Sequence, residues 1–398
     1  MFKKMLKVMT VSLLALSLVA CSSGGSKKGE TFDLKLWGSQ EDQAFLQKRV
    51  EDFKAANKDN TYNITLGVVS EADAKTKITE DLEASADVFA FANDQLRDLV
   101  GAGALYEITK NKDQIVKENM EGSIDAVTLD GKMYGYPFTA DNGYFMYYNS
   151  GFFSADDVLS LDKMLAKAEA EGKKVFFDLS NGWYISSFFL GAGGKLELGS
   201  NGKQVIDWNN ETGVKVGEYL RKFAASPAFM TGDDNVMNAG AADGSIVAAV
   251  SGTWTADQFA TAYGDGYAAT KLPEITIDGK GVQMASFAGY KVYGVNSHTK
   301  APIAAMELAE FLSNEESQVQ RFEARKLGPS NLKAAESEAV KKDVALSALA
   351  QQGKFAHSQK DVVGEYWGPA EAFGTDLENK SDKPMQELLD TLVKQIEQ

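Results

Sequence analysis

Strand and helix patterns alternate twice along this chain, and that alternation restricts it to an α/β architecture. The first series opens at Thr31–Trp37 (TFDLKLW), which alternates apolar and polar residues as a half-buried strand does. Gln40–Ala56 follows, with Phe45, Leu46, Val50 and Phe53 at helical spacing. Then come alternating residues over Tyr62–Val68, a helix over Ala72–Glu83, the apolar strand Val88–Phe91 and a helix from Asp94 to Val100. Strand–helix–strand order favours crossover connections and mainly parallel sheets. The second series predicts a helix over Phe153–Glu171, a strand at Val175–Leu179 and a helix at Gly182–Leu190. Asp207 or Asn209 caps a helix running to Phe223. A strand at Ile246–Ser251, a helix at Trp254–Tyr263 and a strand ended by Pro273 complete it. From Ala301 the pattern is helical: Glu315–Lys326, Ala334–Gln352, Val362–Leu377 and Pro384–Gln398.

Between the two series lies GKMYGYPFTADNGYFMYYN, Gly131–Asn149. Asp130-Gly131 is a hairpin signal, as is Asp278-Gly279. Pro137 biases Tyr136 to extended backbone. A polar joint, Thr139–Gly143, then leads to the apolar run Tyr144–Tyr148. Two extended runs with such a joint suit a chain leaving one lobe and entering another. Tyr290–Val295 alternates and suits the return. Asp141 then sits where two lobes face each other; an ordinary hairpin with Asp141 as a turn residue fits this segment equally well.

The 398 residues suffice for two cores. The first 20 are a leader: Lys3, Lys4 and Lys7 precede an apolar stretch, Val8–Ala20, too short for a stable span. Leu18-Val19-Ala20-Cys21 resembles a bacterial lipobox, in which the cysteine becomes the lipidated N-terminus, and Cys21 is the chain's one cysteine. Lipidation there implies a tether to the outer face of the cytoplasmic membrane; two acyl chains hold where one does not. Cys21 to Gly29 has linker composition. A single cysteine excludes disulfides within the chain and cysteine-based metal sites; no metal or cofactor is expected. Without the three leader lysines, 38 basic groups face 56 acidic ones, a net of −18. That balance argues against nucleic acid as a partner. Gly191-Ala192-Gly193-Gly194 lacks the lysine and the context of a phosphate loop.

Six patches in order resemble the extracellular sugar-binding proteins of ABC importers (solute-binding protein family 1), the maltose- and maltodextrin-binding branch in particular. They are ADVFAFANDQL at 86–96, YGYPFTAD at 134–141, FFDLSNGWY at 176–184, GSIVAAVSGTW at 244–254, AAMELAEFLSNEESQ at 304–318 and EYWGPAEAF at 365–373. The resemblance implies a two-lobed periplasmic-binding-protein type II fold, hinge-linked, each lobe with a mainly parallel sheet flanked by helices. The lobes expected are 30–139 with 290–338, and 140–289 with 339–398. It implies an oligosaccharide, most plainly a maltodextrin-type α-glucan, captured between the lobes and passed to permease subunits. A monomer without catalytic activity is expected.

A neutral sugar offers C–H faces that pack on aromatic planes and hydroxyls that pair with carboxylates and amides. Trp254 ends a strand and matches the family's stacking tryptophan. Trp367 and Tyr366 match its C-terminal aromatic platform, and Trp183 takes the place of a ligand-contacting tyrosine. Asp94 matches a hydroxyl-gripping aspartate and Asp141 a cleft glutamate. Phe91, Gln95 and Asn181 stand where the branch has tryptophan, arginine and glutamate, which leaves the exact sugar open. Gln40 and Glu41 occupy the loop after the first strand; Asp42 is left out, and Trp208 reads as structural. Simple burial competes with binding for Phe91, and helix capping competes for Asp94. The alternative functions are a surface glycoside hydrolase using Asp94, Asp141 or Glu41, and a binder of another solute such as a polyamine.

Overall fold

The computed structural model describes residues 29–199 and 202–397. The leader, Cys21 and the linker up to Lys28 lie outside them.

Among the described residues, six strands form one sheet and five form another. In the first, Thr31–Gly38 pairs in parallel with Thr61–Val68 on one side and Val88–Ala92 on the other. In the second, Lys174–Phe176 pairs in parallel with both Phe229–Met230 and Ile246–Ser251. Antiparallel pairs enter where the chain crosses between lobes. Tyr136–Gly143 and Ser286–Val295 run antiparallel to each other, and Ser286–Val295 runs antiparallel to Val88–Ala92. Phe145–Asn149 lies antiparallel between Ile246–Ser251 and Tyr267–Thr270. Each sheet is therefore a parallel unit extended by crossing strands, as a two-lobed α/β fold requires.

The polar segment Thr139–Gly143 is not a break. It continues the strand from Tyr136, with Thr139 opposite Lys291, Asn142 opposite Gly289 and Gly143 opposite Ala288. The register shifts on either side of Lys291, and bulges of this kind bend a strand. The change of lobe comes at Tyr144, between Gly143 and Phe145. Core membership changes at the same place: Tyr136 and Phe138 pack with Leu36, Phe89 and Leu308, whereas Tyr144 and Met146 pack with Ile185, Val250 and Phe373. On the return strand, Phe287 belongs to the second core and Val292 to the first. Trp208 is structural, stacked 4.4 Å from Phe189.

Helix starts follow side-chain caps more closely than apolar spacing. The helix expected from Phe153 begins at Leu161, where Ser160 accepts from the Lys163 N–H. Asn210, rather than Asp207 or Asn209, caps Glu211–Ala225. The run expected over 334–352 is three short helices, Leu332–Ala335, Glu338–Lys341 and Val344–Gln352. Ser337 and Asp343 each cap a fresh start. The two hairpin turns form as expected, with Asp130, Gly131, Asp278 and Gly279 all left-handed.

Candidate functional site

The buried strand Ile246–Ser251 ends at Gly252, and a tight turn, Thr253–Thr255, leads into the helix Ala256–Tyr263. The turn folds the Trp254 indole back over Gly252. A Cβ at position 252 would lie 1.9 Å from Trp254 Cζ3, so only glycine lets the ring take this position. Trp183 stands in the first turn of the helix Gly182–Gly191. Its N-cap, Asn181, accepts from the Trp183 backbone N–H at 3.0 Å and donates to Asp178 at 3.0 Å. The two indoles lie 5.8 Å apart, tilted by 40°. Trp367 begins the helix Trp367–Glu378 and packs on Gly182, with its ring 6.0 Å from that of Phe287. All three tryptophans are half-buried.

Polar groups from both lobes converge on these rings. The Trp183 indole N–H donates to Gln359 Oε1 at 2.9 Å, and Gln359 Nε2 donates to Asp94 Oδ1 at 2.8 Å. Lys291, on the return strand, places its ammonium 5.8 Å over the Trp254 ring and 3.9 Å from Glu71. Asp234 faces Trp254, which lowers its pKa, and Glu41 of the opposite lobe, which raises it; burial is the larger effect and pushes the carboxyl up. Burial pushes Asp94 up to about 7 against the lowering pull of its own backbone surroundings and Lys75. It pushes Asp178 up to about 6. Such a set can hold an uncharged polyol: flat apolar planes, with carboxyls and an amide at their edges.

The structure divides the expected residues. Trp183, Trp254, Trp367 and Asp94 gather around the inter-lobe surface, and Glu41 and Gln40 stand exposed in the turn beside it. Asn181 reaches the same surface but spends both ends of its amide on the helix cap and Asp178. Three expectations are corrected. Phe91 is wholly buried in the first core, 5.6 Å from Phe89, because every residue of its strand is covered on both faces. Gln95 is buried with its amide committed to the carbonyls of Glu71 and Ala72 and the N–H of Lys75. Tyr366 is wholly buried and donates its hydroxyl to the Gly182 carbonyl at 2.8 Å.

Asp141 does lie at the lobe crossing, but Oδ2 is held internally by Thr253 Oγ1 at 2.7 Å and the Gly328 N–H at 2.6 Å. Its Oδ1 has no hydrogen-bond partner among the described residues. Asp42 is a buried partner of Arg321 and Arg325. Sequence reasoning missed Gln359, Lys291, Asp178 and Asp234. Only Asp178 carried a signal, since it shares a patch with Trp183. Among the described residues no group of side chains is arranged to hold a metal ion, and no helix is long and apolar enough to cross a membrane.

The family profile described as bacterial extracellular solute-binding protein matches residues 48–348. The maltodextrin-binding protein MdxE of Bacillus subtilis (strain 168) is 26% identical over 399 aligned residues, covering 94% of this chain and 92% of its own. A solved structure described as "with acarbose" is 32% identical, with a TM-score of 0.86, covering 92% of this chain and 99% of that one. The maltodextrin-binding protein MalE1 of L. casei BL23, solved without ligand, is 27% identical, with a TM-score of 0.79 and the same coverage.

Proposed function

This chain belongs to the bacterial extracellular solute-binding protein family, and from that premise we propose that it is the substrate-binding subunit of an ABC sugar importer, taking a maltodextrin-type α-glucan between its lobes. The observation that carries this is the Trp183–Trp254 pair, 5.8 Å apart and tilted by 40°, with the acids Asp94, Asp178 and Asp234 around it. Successive glucose rings in an α-glucan are inclined to one another, and tilted indole planes suit that better than parallel ones. The relatives named for maltodextrin, and the one with acarbose, support the same ligand class.

The lobes, expected as 30–139 with 290–338 and 140–289 with 339–398 and divided at Tyr144 on the outgoing strand, close on the sugar because the ligand favours the closed form over the open one. No bond is made or broken. A lipid on Cys21 keeps the monomer near its permease at the outer face of the cytoplasmic membrane. Tryptophan emission, titrated with maltose, maltotriose, longer maltodextrins and spermidine, tests the reading. Saturable change with the glucans supports it; a response to spermidine alone removes it. Thin-layer chromatography of the mixtures tests the hydrolase alternative, which predicts shortened products.

A further inference from the structure

We propose that Gln359 is the positioning residue of this site: one side-chain amide sets the Trp183 ring of one lobe against the Asp94 carboxylate of the other. The inference rests on the sugar-binding reading above and deepens it. Gln359 follows the short strand Ala356–Ser358, which pairs in parallel with the start of the return strand, Ser286–Ala288. Its backbone N–H donates to the Ala288 carbonyl at 3.1 Å, so the residue is fixed to the hinge itself. Its side chain is 5% exposed, and both ends of the amide are used. Oε1 accepts from Trp183 Nε1 at 2.9 Å and from Asn142 Nδ2, on the other crossing strand, at 3.3 Å. Nε2 donates to Asp94 Oδ1 at 2.8 Å. A Cβ on Gly289 would lie 3.0 Å from Oε1, so the return strand keeps a glycine where the amide crosses it.

This arrangement has a directional consequence. An indole N–H can only donate and an ionised carboxylate can only accept. The group between them must accept at one end and donate at the other, which a primary amide does and a carboxylate does not. Gln359 therefore fixes the rotation of the Trp183 plane and one carboxylate oxygen of Asp94 before any ligand arrives. Preorganisation of this kind raises affinity by removing the cost of ordering side chains on binding.

The test compares wild type with Gln359→Met and Gln359→Glu. Methionine removes both hydrogen-bonding ends; glutamate keeps an acceptor for Trp183 and sets a second carboxylate against Asp94. The charged groups near Asp94 are Lys75 and Asp98 from its own lobe. Those flanking Gln359 are Lys360, paired with Asp125, and Asp361, paired with Arg97.

By calorimetry with maltotriose, Gln359→Met should weaken binding about tenfold at both pH 5.5 and pH 8, one lost pair of hydrogen bonds being of that order. Gln359→Glu should lose about tenfold at roughly pH 8 and recover most of it at roughly pH 5.5, where a protonated Asp94 can donate to the new carboxylate. Equal loss at both pH values in Gln359→Glu, or wild-type affinity in both folded variants, overturns the proposal. Near-UV circular dichroism of the ligand-free proteins gives a readout independent of the sugar. Gln359→Met should alter the tryptophan bands and Gln359→Glu should preserve them. Unchanged bands in Gln359→Met overturn the positioning role whether or not a glucan binds. Failure of wild type to bind any glucan removes the proposed function instead.

Discussion

Asp141 and Thr253 stand 112 residues apart and are joined by a 2.7 Å hydrogen bond that ties the outgoing crossing strand to the turn carrying Trp254. The same carboxylate oxygen takes the Gly328 N–H at 2.6 Å. One buried side chain thus binds the hinge, the second lobe and the C-terminal helical segment together. Asp141→Ala should lower stability by about 1–3 kcal/mol, because it strands two buried donors. Denaturant melts of wild type, Asp141→Ala and Thr253→Val measure it. Additive losses for the two variants combined would show that the tie contributes nothing.

The Trp254 ring depends on the absence of a side chain at position 252. Gly252→Ala should drive the indole off its place and weaken maltodextrin binding by about 1–2 kcal/mol, approaching the loss in Trp254→Ala. Fluorescence titration checks this. Undiminished affinity in Gly252→Ala would mean the ring finds the ligand from elsewhere.

Trp183→Ala, Trp254→Ala and Trp367→Ala should each weaken glucan binding by about 1–3 kcal/mol while leaving a cooperative melt. The three expectations differ in one respect. Trp183 also packs edge-on against the hinge residue Tyr144, with centroids 4.6 Å apart, so its loss should cost the most stability. Calorimetry and thermal melts on the same samples separate the two effects.

Asp94 is raised from about 3.8 to about 7, chiefly by burial, so the folded protein holds a proton that the unfolded chain releases. Its contribution to stability is therefore greatest below the unfolded value and is lost as pH rises through the window from about 4 to about 7. Asp141, Asp178 and Asp234 are shifted in the same direction, also by burial. Asp94→Asn should flatten the fall in melting temperature between roughly pH 5 and pH 7.5 relative to wild type. Parallel curves for the two proteins would refute this.

Asp42 behaves in the opposite way. Burial pushes its carboxyl up, but Arg321, Lys291 and Arg325 outweigh burial and hold it below its ordinary value. Arg321 is stacked between Phe45 and Phe138, 4.4 Å from each ring. Arg321→Met should cost about 3–5 kcal/mol, because it removes the buried cation beside Asp42 and leaves that carboxylate only its ion pair to Arg325. Asp42→Leu combined with Arg321→Met should recover much of that loss. A chemical denaturation series on the three variants decides it.

The strands and helices that build the two sheets were legible because each rests on local chemistry. Strand and helix periodicity predicts sheet elements wherever one run is contiguous, and the Gly-Thr-Trp turn after Ile246–Ser251 marked Trp254. Phe91 and Gln95 show the limit. Both belong to a recognisable patch, yet Phe91 is on a strand buried on both faces, and the Gln95 amide is taken by the backbone of a loop more than twenty residues earlier.

The amino-acid sequence by itself determined that this chain is built of alternating strands and helices in an α/β fold, since periodicity, turns and caps act over a few residues. Only the tertiary structure decided which polar groups meet the indole rings. Gln359 reaches Asp94 across 265 residues and Trp183 across 176. The register of the crossing strands and the covering of each sheet face orient such side chains, and both are settled by packing between segments remote in the chain.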